Sequence, residues 1–494
     1  MNDHTIAVVG AGASGTLASV ALLRHTGAHV VLIDTAPTGP GVAYSTTCPR
    51  HQLNVSACSM SALPDEPDDL LTWLSSHGHS YESWEYIPRA LYGSYLAELP
   101  ARIHRRGRLH RVHGHVVALR PQRSGSGLCL AFADGGELHV GRAILALGNS
   151  APSRLTEHSS LPRDRVVDDP WAHHTQCRLR AARSVVIVGT GLTAVDIAIG
   201  LSRAGTPPAV TAISRHGLLP RAQRHGPAEP DRDLGLRANP KLDRIVATVK
   251  EALAEDRSRW RGVIDGLRPR SQELWQGLEH SEQLRFERDH RAWWNVHRHR
   301  AAPESADTLA DMLVQGVLRV REGSIASLGS GADGGVTLTL ADGEQTEYDV
   351  VVNATGPSTR IQDSANALIG NLLATGQARP DAHSVGLATS ATGALIDREG
   401  CPSALVYALG PLRRGELFES AAIREIGMQA DALGRLLART PASAPSTSPS
   451  ADGSSSPRQG RSPSTAKRQR RLQLIKRLLQ LDSRTSRAQQ RARR

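Results

Sequence analysis

Two glycine-rich segments, each between an apolar run and a helix-forming run, constrain the fold of this chain more than any other feature. The three loop positions are filled by Gly10, Gly12 and Gly15 in the first segment and by Gly189, Gly191 and Ala194 in the second. In a strand–turn–helix unit the first glycine allows the tight turn and the second lets the backbone approach a pyrophosphate. The third lets the helix pack on the strand, and alanine is tolerated there. Two such units predict two dinucleotide sites, and a chain with two dinucleotides is expected to pass electrons between them.

The residues after the first loop support a nucleotide site. A helix is predicted over residues 16–24, and the next apolar run, residues 30–33, ends at Asp34. Asp34 follows Gly12 by 22 residues, which is where a carboxylate binds an adenosine ribose. Ser14 joins the site because the free N–H groups of a helix N-terminus favour a pyrophosphate. The alternative is an ordinary glycine turn in which Asp34 is a turn residue.

The residues after the second loop predict a different nucleotide preference. The strand over residues 209–213 is followed by Ser214, Arg215 and His216, and no acid stands there. A carboxylate would repel a 2′-phosphate, whereas these three side chains can bind one. We therefore expect NADPH, with Arg215 as the contact, in preference to NADH. The alternative is that Arg215 is a solvated surface charge.

The two loops belong to a longer internal repeat. Three strand-like runs follow the first unit, at residues 113–119, 128–132 and 143–147. Three more follow the second unit, at residues 317–328, 336–340 and 348–352. Similar turns, each containing Asp and Gly, precede the last run of each set, which ends near Gly148 or Gly356. Each module is thus predicted to be a parallel βαβ layer with an antiparallel three-strand meander.

Over residues 4–437 the chain resembles the FAD/NAD(P)-binding protein family, which is related to the N-hydroxylating and flavin-containing monooxygenases. The resemblance rests on both loops with Asp34 and on these further segments: 39–44, 53–55, 60–61, 293–297, 353–357 and 409–411. It implies FAD in the first loop and NAD(P)H in the second. It also implies cofactor contacts at Asn54 beside the isoalloxazine, Val117 beside the adenine, and Gly148, Gly356 and Gly410 near the nucleotides.

The resemblance and the repeat together predict an α/β fold with two Rossmann-like dinucleotide-binding domains. The FAD-binding domain is expected to be discontinuous, over residues 1–183 and 350–440. The NAD(P)-binding domain covers residues 184–349, with a helical insert at about residues 216–315. Residues 441–494 are expected to form a disordered basic tail. A helix beginning near Glu419 is expected to aim its N-terminus at the flavin pyrimidine.

Composition excludes several classes of protein. Five scattered cysteines without a Cys-x-x-Cys pair argue against a disulfide framework and against disulfide reductases of this broad fold. Histidine pairs lack Cys or carboxylate partners at ligand spacing, so no metal is expected. The start of the chain has Asp3 and no Lys or Arg before the apolar residues 6–23. We therefore expect no signal peptide or membrane span, and a cytoplasmic protein.

The net charge of +11 is confined to the tail. Residues 451–494 hold 13 Lys and Arg against two acids, which accounts for the whole excess. One interpretation is an arm for anionic surfaces, built from a basic helix over residues 467–480. We favour the other, an appendage that keeps the protein soluble, because nothing else in the chain is built for nucleic acid.

The helical insert is the candidate substrate region. It holds four of the seven tryptophans and a run of alternating histidine and arginine, and the candidate substrate contacts are Trp293, Trp294, His297 and Arg300. Aromatic walls and cationic ends suit an anionic or polar small molecule. Equally, the tryptophans could form the insert's own core.

Two dinucleotide sites without a cysteine pair favour an FAD-dependent, NADPH-consuming oxidoreductase. We expect a monooxygenase that hydroxylates a small polar substrate through a flavin hydroperoxide; no catalytic residue is assigned. One alternative is an FAD-dependent dehydrogenase or reductase without oxygen chemistry. The other is a non-catalytic redox sensor that binds nucleotides.

Overall fold

The structure is a computed structural model. It describes residues 4–35, 41–103, 107–122, 127–155, 161, 164–172, 175–202, 207–229, 231–236, 239–331 and 334–439. The expected disordered tail at residues 441–494 lies outside these residues. Among the described helices, none is both long and apolar enough to cross a membrane.

Seventeen strands are described. In chain order they are β1 (Thr5–Val9), β2 (His29–Asp34), β3 (Leu109–His113), β4 (Val116–Pro121), β5 (Leu128–Phe132), β6 (Glu137–Val140), β7 (Arg142–Leu145), β8 (Val166–Val167), β9 (Ser184–Val188), β10 (Ala209–Ser214), β11 (Leu318–Glu322), β12 (Ile325–Ser330), β13 (Val336–Leu340), β14 (Gln345–Tyr348), β15 (Val350–Asn353), β16 (Ala394–Ile396) and β17 (Pro402–Ala408).

Thirteen α-helices are described. In chain order they are α1 (Ala13–His25), α2 (Asp69–Ser76), α3 (Arg89–Ile103), α4 (Thr175–Ala181), α5 (Leu192–Leu201), α6 (Leu242–Glu255), α7 (Trp260–Leu267), α8 (Ser271–Gly277), α9 (His280–Asp289), α10 (Arg291–Arg298), α11 (Pro303–Val314), α12 (Ala367–Ala374) and α13 (Ile423–Arg439).

The first glycine loop follows the carboxyl end of β1, an interior strand of a six-stranded sheet of order β16-β17-β7-β1-β2-β3. All neighbours are parallel except β16, which runs antiparallel to β17. Successive β1 side chains point to opposite faces, so Ile6 and Val8 pack with α1, α3 and α13, whereas Ala7 and Val9 pack with the β4–β5 meander and α12. Both faces are covered, which explains the continuous apolar runs of β1 and β2.

The second glycine loop follows the carboxyl end of β9, the central strand of a five-stranded, wholly parallel sheet of order β11-β10-β9-β15-β8. Val185 and Ile187 on β9 pack with α5 and α11, and Val186 and Val188 pack with the strands β12 and β13. Helices therefore cover one face and a meander covers the other, as in the first module. The predicted fold class and its internal repeat are confirmed.

The third strand of each meander was predicted wrongly. Residues 143–147 and 348–352 were expected to complete the meanders, but β6 and β14 do so. The next strands, β7 and β15, instead join the parallel sheets beside β1 and β9. Single residues, Gly141 and Asp349, separate the two strands in each case, and a pattern of apolar residues cannot reveal so short a break.

The predicted domain boundaries also need correction. Strand β15 was assigned to the FAD-binding domain, yet it hydrogen-bonds to β9 in the second sheet. Strand β8, assigned to the same domain, forms the edge of that second sheet beside β15. The physical reason is the repeat itself, because β15 takes the place beside β9 that β7 takes beside β1. The second module therefore includes residues 166–167 and 350–353.

The insert between β10 and β11 is mostly helical from residue 242 to residue 314, whereas its described residues before 242 form loops. Helices α6 to α10 enclose a small apolar core of their own, and α11 packs on the second sheet. Trp294 belongs to the insert's core. Trp275 contacts Phe418, from the segment before α13, with ring centroids 5.2 Å apart and the ring planes tilted by 36°. The insert is thus held against the first module.

Candidate functional site

The first glycine loop has the shape that a pyrophosphate requires. Gly10 has a φ of +102°, and a β-carbon on it would lie 2.3 Å from the carbonyl oxygen of Ala146. A β-carbon on Gly15 would lie 1.7 Å from the carbonyl oxygen of Gly10, so α1 can pack there only through glycine. Gly12 begins α1 without a side-chain cap, and the first turn holds no acid. The helix N-terminus is therefore open to an anion.

The second loop repeats this geometry. Gly189 has a φ of +115°, and its β-carbon would lie 2.2 Å from the carbonyl oxygen of Ala354. Gly191 begins α5, again without a side-chain cap or an acid in the first turn. No described protein atom lies within 4 Å of a β-carbon on Gly191, so open space faces the loop where a pyrophosphate would sit. Ala194 is buried in the third position, which confirms that alanine fits there.

Two further glycines face the loops from the neighbouring strand ends. Gly148 follows β7 with a φ of +72°, and Gly356 follows β15 with a φ of +85°. A β-carbon on either would meet no described atom within 4 Å. Each glycine loop thus has a glycine, Gly148 or Gly356, at the end of the neighbouring strand.

The residues at the ends of β2 and β10 differ, as the sequence predicted. Asp34 accepts a hydrogen bond from the Ala11 N–H at 2.5 Å, which holds its carboxylate beside the first loop. At the same place in the second module, the Ser214 and Thr190 hydroxyls are 2.8 Å apart, and Arg215 is exposed. One acid was missed: Glu322 pairs with Ser214 on the neighbouring strand. Only strand register could have revealed it.

Segments outside the loops cover the first site. Gly41, with a φ of +78°, lies so close that a β-carbon on it would be 2.9 Å from the Cα of Gly12. Tyr44, which follows in the same segment, contacts Tyr92 with ring centroids 4.9 Å apart and the ring planes tilted by 54°. Burial raises the pKa of Tyr44 to about 12, so its hydroxyl stays neutral.

The predicted contacts Val117, Asn54 and Gly410 occupy distinct positions. Val117 lies where the β4–β5 register shifts between Val116 and Ala118, and a bulge leaves such a residue outside the ladder. The Asn54 carbonyl accepts a hydrogen bond from the Gln223 side chain at 3.1 Å, which brings the insert's first loop to this segment. The Gly410 N–H donates to the Gln429 side chain at 3.1 Å.

Three side chains that sequence reasoning missed have buried polar atoms without a hydrogen-bond partner in the described chain. These are the Gln52 Oε1, the Tyr92 hydroxyl and the Ser420 hydroxyl. Buried polar groups are nearly always hydrogen-bonded, so such orphans indicate a ligand or water. Gln52 is two residues before the predicted flavin contact Asn54, Tyr92 contacts Tyr44 of the covering segment, and Ser420 is three residues before α13. The residues present therefore fit a bound dinucleotide.

The helix predicted to begin near Glu419 begins at Ile423 instead. The Glu419 carboxylate receives two hydrogen bonds of 2.8 Å from Arg298 of the insert, and both side chains are over nine-tenths buried. This pairing holds Glu419 outside the helix. The sequence gives no signal for it, since the two residues are 121 positions apart.

A polar junction joins the two modules beside Asn54. Arg89 donates to the Asp196 carboxylate on α5 at 2.7 Å and to the Gln52 carbonyl at 3.2 Å. The His51 Nε2 donates to the Asp196 carbonyl oxygen at 2.9 Å. Burial opposes ionisation of the Cys48 thiol, but hydrogen bonds with the His51 side chain and with the Arg50 and His51 backbone, together with the charge of His51, outweigh burial and lower the pKa of Cys48 to about 7. The segment beside the first site is thereby fixed to the helix of the second loop.

The structure separates the four candidate substrate contacts. Trp294 is buried in the insert's core, and Arg300, 4% exposed, pairs with Asp265 at 2.5 Å. Trp293 is 40% exposed and stacks on His297, with ring centroids 4.1 Å apart. Burial and the cations Arg221 and Arg300 lower the pKa of His297, despite a hydrogen bond to the Trp293 carbonyl. Trp293 and His297 together line one cavity of the insert.

One group of possible metal ligands was also missed. Cys129, Glu137 and His139 come from β5 and β6, and their ligand atoms lie within 4.8 Å of one another. Cys129 and His139 are opposite each other in the strand register. Their spacing in sequence resembles no metal motif, because the hairpin brings them together.

Comparison with known proteins agrees with this geometry. Residues 7–150 match a family model described as FAD-NAD(P)-binding. No curated protein matches the sequence closely enough to count as a relative. The model resembles the reduced ornithine hydroxylase PvdA from Pseudomonas aeruginosa, with a TM-score of 0.59 and 17% identity over 88% of this chain and 99% of that one.

Two other solved structures are similar. The ornithine N-hydroxylase KtzI of Kutzneria sp. 744, solved with reduced FAD, NADP⁺ and L-ornithine, gives a TM-score of 0.58 at 15% identity, covering 88% of this chain and 99% of that one. The cadaverine monooxygenase DfoA of Erwinia amylovora gives 0.56 at 15% identity, covering 93% and 100%. The chain therefore has the fold of flavoproteins with two dinucleotide-binding domains. The family match over residues 7–150 agrees with the resemblance inferred from the motifs.

Proposed function

We propose that this chain is an FAD-dependent oxidoreductase that consumes NADPH and hydroxylates a small substrate with a polar group. The observation that carries the proposal is the duplicated loop geometry, in which each uncapped helix N-terminus faces bare glycine backbone. Similar structures bear the names of N-hydroxylases and monooxygenases, which supports the reaction type. When bound, FAD would supply hydride acceptance and oxygen activation.

The chain's own residues would bind and orient the two nucleotides. In the first module Gly10, Gly12, Ser14 and Gly15 would cradle the FAD pyrophosphate, with Asp34 holding the adenosine ribose. Val117, Gly148, Asn54 and Gly410 would contact the rest of the cofactor through backbone and amide groups. The missed side chains of Gln52, Tyr92 and Ser420 would supply further hydrogen bonds.

In the second module Gly189, Gly191 and Ala194 would hold the nicotinamide nucleotide, with Gly356 across the sheet edge. Arg215 is exposed beside this loop and would bind the 2′-phosphate of NADPH. Glu322 on the adjacent strand works against that preference, so Arg215 must outweigh a nearby carboxylate.

The junction of Arg89, His51 and Asp196 would keep the two sites in register. Hydride transfer needs a close and well-oriented approach of donor and acceptor. Because α5 carries both Asp196 and the second loop, its position relative to the first module is set by this buried network.

Stopped-flow spectroscopy tests the proposal. Purified protein loaded with FAD is mixed with NADPH without oxygen, and air is then admitted. We expect rapid bleaching of the flavin, followed on oxygenation by a transient absorbance in the near ultraviolet. Bleaching without the transient would favour a dehydrogenase or reductase, and no bleaching would favour a redox sensor.

A matched variant makes the test specific to the second loop. In Gly191→Val the new side chain meets no protein atom within 4 Å of its β-carbon, so the fold should be unchanged. It would occupy the pyrophosphate space, so NADPH should no longer bleach the flavin, while flavin content stays normal. Normal bleaching in this variant would show that NADPH is bound elsewhere.

A further inference from the structure

The helical insert encloses an apolar cavity of about 370 Å³. Its walls come from α6 to α10 and from Phe418, and they include Leu242, Ile245, Val249, Leu267, Leu274 and Trp275. Trp294 also lines it, and its indole N–H has no hydrogen-bond partner among the described residues. The polar residues of the lining are Lys250, Ser271, Asp289 and His290. A cavity of this size is within the range of ligand pockets, and a mostly apolar lining fits an organic molecule better than water.

A second cavity of about 800 Å³ lies beside the first and is cationic. The basic residues around it are Arg221, Lys250, Arg257, Arg261 and His297, and none of the described lining residues is acidic. Trp260 and Trp293 form its aromatic walls.

The cations at this cavity differ from the others of the insert. Ten other arginines of the insert form ion pairs with Asp or Glu, at residues 224, 232, 244, 268, 270, 285, 288, 291, 298 and 300. Within the described chain no ion pair is found for Arg221, Lys250, Arg257 or Arg261. The Arg261 Nε is also buried without a hydrogen-bond partner. Arg261 donates to the Ala222 carbonyl at 2.9 Å, and Glu229 and Asp265 partly offset its charge. Four cations without an ion pair at one cavity nevertheless favour an anionic ligand.

The two cavities share a wall formed by Lys250, Leu253 and Trp293. Because the two cavities adjoin at these residues, a molecule that spans them would place a charged group in the cationic cavity and an apolar body in the other. A dinucleotide does not fit this pattern, since it has no apolar body of that kind. A dication such as cadaverine fits it still less, because like charges repel.

We propose that the insert binds an amphipathic organic anion, with its carboxylate or phosphate held by Arg221, Lys250, Arg257 and Arg261 and its apolar chain in the cavity beside Trp294. The inference rests on the proposed function, because it takes the bound molecule to be the substrate of that reaction and names the substrate's chemical class. Of the predicted substrate contacts, Trp293 lines both cavities and His297 lines the cationic one. Phe418 closes the apolar cavity one residue before Glu419.

Calorimetric titration of the full-length, FAD-loaded protein tests the site without turnover. The probes are decanoate, decyl phosphate, decanol and inorganic phosphate. We expect the two amphipathic anions to bind, with decanol and inorganic phosphate each at least about tenfold weaker, because each lacks one half of the interaction. Whichever anion binds more tightly identifies the head group. Equal binding of decanol and both anions would overturn the proposal.

Charge and cavity variants give the second arm. Arg257→Gln should weaken decanoate binding about five- to tenfold, whereas Arg259→Gln removes an exposed charge nearby that does not line the cavity and should leave it unchanged. Val249→Phe should weaken binding by filling the apolar cavity while the melting temperature stays close to that of the parent. Equal effects of the two arginine variants, or competition of decanoate with NADP⁺, would contradict the site. NADPH bleaching, measured separately, distinguishes a failure here from a failure of the proposed function.

Discussion

At the scale of single residues, the structure distinguishes glycines that the fold needs from glycines that a ligand needs. Gly10 and Gly189 have positive φ angles, and a β-carbon on either would clash with a neighbouring carbonyl oxygen, so the protein itself excludes a side chain there. Gly191 has neither constraint, since it faces open space and has no positive φ. The absence of a side chain at Gly191 therefore has a reason only when a nucleotide is present.

Gly12→Val is expected to abolish flavin binding, because the side chain would occupy the space of the pyrophosphate. The ratio of flavin to protein after purification measures the effect. Gly27→Val is the matched control, as Gly27 is exposed and no described atom lies near its β-carbon. A Gly12→Val protein with the normal flavin ratio would show that the first loop is not the FAD site.

Arg215→Ala is expected to raise the KM for NADPH more than the KM for NADH. Lost hydrogen bonds between a guanidinium and a phosphate cost about 1.5–3 kcal/mol, or roughly ten- to a hundredfold. Steady-state oxidation of the two nucleotides measures the difference. Arg319→Ala, at an exposed position on β11, should change neither value. Equal effects of Arg215→Ala on both nucleotides would mean that Arg215 does not bind the 2′-phosphate.

The loop residues could be predicted because their roles depend on local geometry that sequence spacing records. Gly10, Gly15 and Asp34 lie within one strand–turn–helix–strand unit, and the structure places them as expected. Glu322 could not be predicted, because its position beside Ser214 depends on the register of a strand more than a hundred residues away. Arg300 likewise reads as a surface cation, and only its contact with Asp265 shows that it is buried and paired.

At the scale of secondary-structure elements, the insert is tied to the first module by the Arg298–Glu419 pair. The pair joins the last turn of α10 to the segment that leads into α13. The sequence predicted α1 and a helical insert but not this contact, just as apolar periodicity missed the breaks before β7 and β15. Pairing between distant elements is decided by tertiary packing, which local sequence does not encode.

Glu419→Gln is expected to destabilise the protein by about 3–5 kcal/mol, because it leaves the Arg298 guanidinium buried without its counter-charge. Urea denaturation measures the change. Replacing both partners by apolar residues, as in Arg298→Met with Glu419→Leu, should recover much of the loss. Asp289→Asn, which breaks the exposed pair with Arg288, should change stability by less than about 1 kcal/mol and serves as the control. A Glu419→Gln effect as small as this control would contradict the prediction.

At the scale of the whole molecule, the described fold ends with α13, whose buried face packs on α1. The overall architecture was predictable because the same strand–turn–helix pattern, with its meander, occurs twice in the sequence. The domain boundaries were less predictable, because the strands that return to each sheet lie far from its loop in sequence. Charge is separated from this architecture, since all of the excess lies beyond residue 450.

Deletion of residues 441–494 is expected to leave flavin content, melting temperature and NADPH-driven reduction unchanged, because it removes no residue of the described core. Binding to a heparin column, compared with the full chain across a salt gradient, should be lost with the clustered Lys and Arg. A truncated protein that sheds FAD or melts several degrees lower would show that the tail stabilises the body.

The junction of Arg89 with Asp196 limits how the two modules can move. Their side chains are only 16% and 7% exposed, and one partner belongs to each module. Any rotation that separates the modules must break this pair, and a cost of about 3 kcal/mol would leave fewer than roughly one molecule in a hundred open at equilibrium. Exchange between open and closed populations should therefore be rare in the parent protein and more frequent in Arg89→Met. The rate of turnover would then depend on the binding and release of nucleotides by the closed protein, and not on a rotation of one domain relative to the other.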